Sequence, residues 1–157
     1  MLVEARRRAL RAPGAPDAPS EREFDVIVRQ AAAAIGTRMA LVSLPGEGGR
    51  RITARVGIEP AEAPIIASFG ADAIRRSGTL IVPDATRDAR FAADPLVTGK
   101  PHIRFYAGAA VELDGARVGV LCVLDDQARH AVTELQAQYL RYLADRTAAA
   151  LKARRQG

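Results

Sequence analysis

At 157 residues, 48% hydrophobic and 4% aromatic with no Trp, the chain can bury one aliphatic, Ala-rich core and reads as one domain. Its formal charge of +5 lies in the ends: Arg6, Arg7, Arg8 and Arg11 against Glu4 give +3, Lys152, Arg154 and Arg155 give another +3, and the remainder stands at −1. A near-neutral body without a basic, aromatic-bearing stripe argues against a nucleic-acid partner, no apolar run approaches the ~20 residues of a membrane-spanning helix, and a single cysteine excludes an internal disulfide framework and fits a reducing cytoplasm.

Residues 1–19 read as a flexible basic arm, ending in the Pro-rich break APGAPDAP. No apolar core follows its charges, so it is not a secretory signal. Residues 20–157 form the expected domain. Ser20-Glu21-Arg22-Glu23 is a capping box, with the Ser20 hydroxyl and the Glu23 carboxylate each able to satisfy the other's backbone amide. A helix follows, with Phe24, Ile27, Val28, Ala31, Ala34 and Ile35 on one stripe and Gly36 as its stop.

Residues 39–44 are a strand and PGEGG is a turn. Residues 50–56 alternate, with Ile52, Ala54 and Val56 on one face and Arg51, Thr53 and Arg55 on the other, as in a half-exposed strand near an edge. Residues 64–77 read as one helix with Ile66, Phe69 and Ala73 inward. Gly70 inside it costs roughly 1 kcal/mol against Ala, and implies close approach of a backbone or ligand. Residues 79–82 are a short strand stopped by Pro83. The polar loop after it has Asp88 placed to cap a turn at Arg90-Phe91-Ala92, and Asp94-Pro95 and Thr98-Gly99 mark further turns.

Residues 103–113 and 116–125 form a hairpin around Asp114-Gly115, a type I′ turn signal. The turn pairs Leu113 with Ala116, and an unbroken ladder then sets Glu112 opposite Arg117 and Arg104 opposite Asp125. The same register puts Gly108, Ala110 and Gly119 on one face. It puts Phe105, Ala107, Ala109, Val111, Val118, Val120, Cys122 and Leu124 on the other. Thr133-Glu134-Leu135-Gln136 is a second capping box. The helix it opens has a seam of Leu140, Leu143, Ala144, Thr147, Ala148 and Leu151, flanked by a second strip of Leu135, Tyr139 and Tyr142 open to a partner helix. The order of elements is that of an α+β architecture with a central antiparallel sheet.

VPDATRDARF, PLVTGKPHIRFYAGAAV and GVLCVLDD, in that order, resemble a GAF domain of the bacterial subclass found alone or fused to signalling enzymes, and SEREFDVIVRQAAAAIGTRMALVSL is similar to that subclass's first helix and strand. The resemblance covers residues 20–151. It implies a six-stranded antiparallel sheet, terminal helices on one face, and a pocket between the other face and the connecting helix and loop. It also implies a sensory or regulatory role, a small-molecule ligand in that pocket and frequent homodimers through the terminal helices. The expected setting is the cytoplasm, with no membrane partner, a separate signalling protein as a possible target and no cofactor named. The subclass usually has Ser-Phe-Cys-x-His where this chain has Ser68-Phe69-Gly70-Ala71-Asp72. The cyclic-nucleotide signature and the bilin-attachment Cys-His are absent, and free methionine-sulfoxide reductases of this fold use two or more cysteines against the one here.

Mid-strand between Leu121 and Val123, Cys122 reads as a buried filler rather than a reactive thiol. His102 and His130 lack the company of a zinc site. His102, Arg104 and Tyr106 alternate onto one face near Asp125, which serves either a polar ligand or a plain Arg104–Asp125 ion pair. Asp84 and Asp88 suit capping at least as well as acid–base chemistry. No catalytic or metal-binding set emerges. The expected ligand-binding residues are Phe69, Asp72, Asp84, Arg90, Phe91, Arg104 and Tyr106. The leading expectation is a non-enzymatic sensory module. The alternatives are a free methionine-(R)-sulfoxide reductase-like enzyme and a ligandless dimerisation unit.

Overall fold

A 17-residue helix, α1 (Pro19–Ile35), opens the computed structural model, which describes residues 19–46, 49–129 and 131–156. The basic arm before Pro19, His130 and the side chain on which the Ser20 capping box rests all lie outside the described residues. The helical stripe of Phe24, Ile27, Val28, Ala31 and Ile35 is buried, while Ala34 is half-buried. Gly36 ends the helix at φ 80°, a conformation open to glycine at little cost.

Five strands follow: β1 (Met39–Gly46), β2 (Gly49–Val56), β3 (Thr79–Val82), β4 (Phe105–Leu113) and β5 (Ala116–Asp125). They form one sheet in the order β2-β1-β5-β4-β3, with every neighbouring pair antiparallel. The sheet thus has five strands among the described residues, not the six that the resemblance implied. The stretch between β3 and β4 is too heavily punctuated to add one. Asp84, Asp88 and Asp94 each bond a backbone amide two residues on, which curls the chain into a 3₁₀ turn (Ala85–Arg87) and a one-turn helix, α4 (Pro95–Thr98).

Two bulges change the expected faces. Between β1 and β2 the register slips at Val42/Ser43, so Thr53 is the extra residue. Ala54 and Val56 then pack under α1, while Ile52 joins the opposite core. The alternation of Ile52 with Ala54 and Val56 on one face is therefore broken. In the hairpin, Asp114 (φ 52°) and Gly115 (φ 81°) make the expected turn, and Leu113–Ala116 and Glu112–Arg117 pair as expected. A bulge between Val111 and Glu112 then shifts the ladder by one residue. Asp125 pairs with Phe105 rather than Arg104, and Val120, Cys122 and Leu124 turn away from Phe105, Ala107, Ala109 and Val111 to the opposite face.

The final helix, α5 (Glu134–Gln156), starts at the expected capping box: Gln136 N donates to Thr133 Oγ1 and Thr133 N to Gln136 Oε1, each at 3.0 Å. Its seam of Leu140, Leu143, Ala144, Thr147, Ala148 and Leu151 is buried beside α1 on one sheet face. Each fully buried Leu, Ile or Phe in this layer contributes roughly 1.5–3 kcal/mol. The opposite face is covered by the connection running from residue 58 to 103, which builds the second core.

Candidate functional site

Two short helices, α2 (Ala63–Ser68) and α3 (Ala71–Ser77), stand where one helix over 64–77 was expected. The break is at Phe69, whose backbone is extended, and Gly70, at φ 73°. The cause lies beneath it. A Cβ on Gly70 would stand 2.7 Å from Leu80 Cδ2 and 3.2 Å from Tyr106 Cε1. A Cβ on Gly108 would stand 3.1 Å from that same Tyr106 carbon and 2.5 Å from Ile74 Cδ1. The two glycines are the space in which the Tyr106 ring lies, and the left-handed turn at Gly70 lets the chain pass over it.

Tyr106 is fully buried, and Phe69 lies over it with ring centroids 5.1 Å apart. Phe91 follows at 4.7 Å from Phe69, and the Arg90 guanidinium sits 5.2 Å from the Phe91 centroid. The structure therefore brings together Phe69, Phe91, Tyr106 and, at the outer edge, Arg90. This row of rings fills the space between the sheet and the connection.

The other expected site residues lie apart from that row. Asp84 caps the 3₁₀ turn, accepting from Thr86 N at 3.0 Å and Thr86 Oγ1 at 2.6 Å; the hydroxyl bond above all holds its carboxyl below the usual range. Asp88 accepts a two-pronged bond from Arg90 at 2.9 and 2.7 Å, which lowers its pKa likewise. Asp72 is exposed and paired with Arg76 one turn on, at 3.0 Å. Arg104 points back to the loop, donating to Val97 O at 2.8 Å and Ile103 O at 3.2 Å.

The proposed Arg104–Asp125 ion pair does not form. Asp125 is buried, and its carboxylate accepts from Arg38 N at 3.0 Å, with the Arg129 guanidinium 3.8 Å away. Only backbone joins the two, through Arg104 N and Asp125 O at 2.9 Å. His102 also leaves the expected line: its φ of 59° places it in a turn before β4, exposed, while Tyr106 is in the core. The cluster of His102, Arg104 and Tyr106 beside Asp125 is thus dispersed by the hairpin bulge and this turn.

On the second face, Cys122 is fully buried, and burial pushes its thiol up to about 12, against a smaller lowering by a hydrogen bond with Tyr106. A thiol in that state is not a nucleophile at neutral pH. Among the described residues no cluster of His, Cys, Asp and Glu could hold a metal.

Sequence reasoning missed an open groove of about 740 Å³ between β2 and α2–α3, on the outer side of the Phe69–Gly70 break. Arg51, Ile52, Pro64, Ala67, Asp72 and Arg75 are among its lining residues. Only the outward alternation of Arg51 hinted at it. Arg129 was missed as well: it bonds the carbonyls of Ile35 and Gly36, and lies 5.5 Å over the Phe105 ring.

A family model described as the GAF domain matches residues 19–151. A cyclic di-GMP phosphodiesterase of Pseudomonas aeruginosa is 35% identical over 126 residues, covering 80% of this chain. The chain spans only 22% of that protein's length. The solved GAF domain from a phosphoenolpyruvate-protein phosphotransferase of Coxiella burnetii is similar with a TM-score of 0.70 at 15% identity, over 99% of this chain and 93% of that one. The type II free methionine-R-sulfoxide reductase of Thermoplasma acidophilum is similar with a TM-score of 0.67 at 12% identity, over 85% and 93% respectively. At such identities both structures speak for the fold alone. The antiparallel sheet, the helix pair on one face and the connection over the other agree with the family match, and the chain belongs to the GAF domain family.

Proposed function

We propose that the chain is a non-enzymatic regulatory module of bacterial signal transduction, which binds a small molecule at the connection over the second sheet face and forms homodimers through α1 and α5. The observation that carries this reading is the different dress of the two sheet faces. The α1–α5 layer continues outward into apolar groups in solvent, with Leu135 at 76%, Tyr142 at 53% and Val26 at 39% exposure. Such a strip favours a second helix pair. The other face carries the Phe69, Phe91 and Tyr106 rings with Arg90 at their outer edge, while Asp84 and Arg104 stand apart from the rings on the loop and Asp72 outside the helix break. We take these seven as the surroundings of the ligand.

The Pseudomonas aeruginosa phosphodiesterase has most of its length outside the matched segment, which supports a regulatory rather than catalytic part for that segment. The thiol of Cys122, pushed up to about 12, weighs against a reductase. We place the module in the cytoplasm, with a separate signalling protein as its target. Native mass spectrometry of freshly purified protein tests the ligand, with a co-purified small molecule expected. Light scattering tests the dimer: the expected species is dimeric, and Leu135→Glu with Tyr142→Glu shifts it to monomer. Turnover of free methionine sulfoxide that depends on Cys122, or a wild-type protein that stays monomeric at high concentration, would overturn the reading.

A further inference from the structure

We propose that the groove between β2 and α2–α3, which shares only Asp72 with the ligand surroundings proposed above, binds a small organic anion with an apolar body, gripped by Arg51 and Arg75; this moves the ligand of the sensory reading outward from the ring row and rests on that reading. At about 740 Å³ the groove falls in the range of small-molecule sites, roughly 300–1,000 Å³. Its apolar lining is Ile52, Pro64, Ala67 and Ala71, enough to cover a ring or a short chain. Its charge is lopsided. Arg51 and Arg75 are both exposed, and neither forms an ion pair among the described residues. The carboxylate of Asp72, which also lines the groove, is taken up by Arg76 at 3.0 Å. Two guanidinium groups beside an apolar surface suit a carboxylate or phosphate on a hydrophobic frame, because the planar donors match paired oxygens.

Exposed guanidinium groups of one sign make a diffusible anion the complementary occupant. The position also gives the site a reach into the core. Ala67 and Asp72 lie on either side of Phe69, whose ring packs on Tyr106 and Phe91, so an occupant bears on the same break that seats the aromatic row.

The test is titration of the full chain with phenyl phosphate, followed by nuclear magnetic resonance at the Ile52 and Ala67 methyls and by calorimetry at two salt concentrations. Inorganic phosphate and benzyl alcohol serve as the charge-only and apolar-only probes. Saturable shifts at Ile52 are expected with phenyl phosphate, weakening with salt as exposed charges are screened. Arg51→Ala and Arg75→Ala each weaken binding about tenfold, and Asp72→Asn strengthens it, since it removes a repelling charge. Circular dichroism confirms that these exposed substitutions leave the fold intact. Binding unchanged in both arginine variants, an equal response to benzyl alcohol, or no saturable shift at all overturns the site. A co-purified molecule whose footprint falls on Phe69, Phe91 and Tyr106 but not on Ile52 also overturns it, while leaving the sensory reading in place.

Discussion

Replacing Gly70 by Ala tests the central packing claim, that the helix break exists to seat Tyr106. Two costs arise. A non-glycine residue at φ 73° loses roughly 1–2 kcal/mol to left-handed backbone strain. The new methyl also meets Leu80 Cδ2 at 2.7 Å and the Tyr106 ring at 3.2 and 3.3 Å, and such overpacking adds roughly 1–3 kcal/mol. Gly115→Ala is the matched control: its φ is 81°, but nothing lies within 4 Å of the added Cβ, so only the strain remains. The expected losses are about 2–5 kcal/mol for Gly70→Ala against about 1–2 kcal/mol for Gly115→Ala. For a chain of this length each kcal/mol lowers Tm by roughly 2–4 °C. Urea unfolding followed by circular dichroism measures both variants, with Tm by calorimetry as a check. Equal losses in the two would refute the reasoning, because the steric share would then be zero.

Two further predictions follow from groups buried in the sheet. Cys122 has its pKa raised from 9.0 to about 12, so the folded state holds a proton that the unfolded state releases above pH 9; stability therefore falls as pH rises between 9 and 12. At pH 10 the loss is about 1.4 kcal/mol relative to neutral pH, and it is absent from Cys122→Ala, so the difference between the two proteins changes by that amount; a wild-type curve parallel to the variant's over that range would contradict the burial argument. Asp125→Ala strands the Arg38 amide, removes the carboxylate that faces the Arg129 guanidinium and costs about 2–3 kcal/mol. In double-mutant cycles Arg104→Ala couples to it by less than about 0.5 kcal/mol while Arg129→Ala couples more strongly; the reverse order would restore the pairing read from an unbroken ladder.

The elements themselves were legible because their signals are local. Thr133 and Gln136 close the capping box as their spacing requires, and Asp114-Gly115 makes the turn that its φ tolerance permits. What failed was propagation. A two-residue turn determines only its nearest pairs, and nothing about Val111 or Val118 as residue types announces a bulge between them. One extra residue then carried Val120, Cys122 and Leu124 to the other face and separated Arg104 from Asp125. Gly70 shows the opposite case. Its presence implied close approach of a backbone or ligand, whereas the close neighbours are the Leu80 and Tyr106 side chains, and helical periodicity on either side hid that the helix breaks over them. At the site, the contact of Phe69, Phe91 and Tyr106 joins residues from three separate segments, which no spacing rule brings together. The groove arginines escaped notice because an exposed Arg on an edge strand, like Arg51, or on a short helix, like Arg75, looks like any solvated charge.

Arg129 has a mechanical consequence. Its amide bonds Pro83 O, where the long loop begins, and its guanidinium bonds the last carbonyls of α1 and faces Asp125 at the end of β5. Gln136, in the first turn of α5, bonds Ala34 O close by at 3.2 Å. The loop, the sheet and both long helices thus meet at one fulcrum. From there α1 and α5 run side by side to their far ends, where Arg154 lies over the Phe24 ring. With 23 residues α5 is a lever of about 35 Å, so a tilt of roughly 5° at the fulcrum displaces its tip by about 3 Å. A movement of Pro83 that tilted α5 about this point would therefore be read out most strongly at the opposite end of the helix pair.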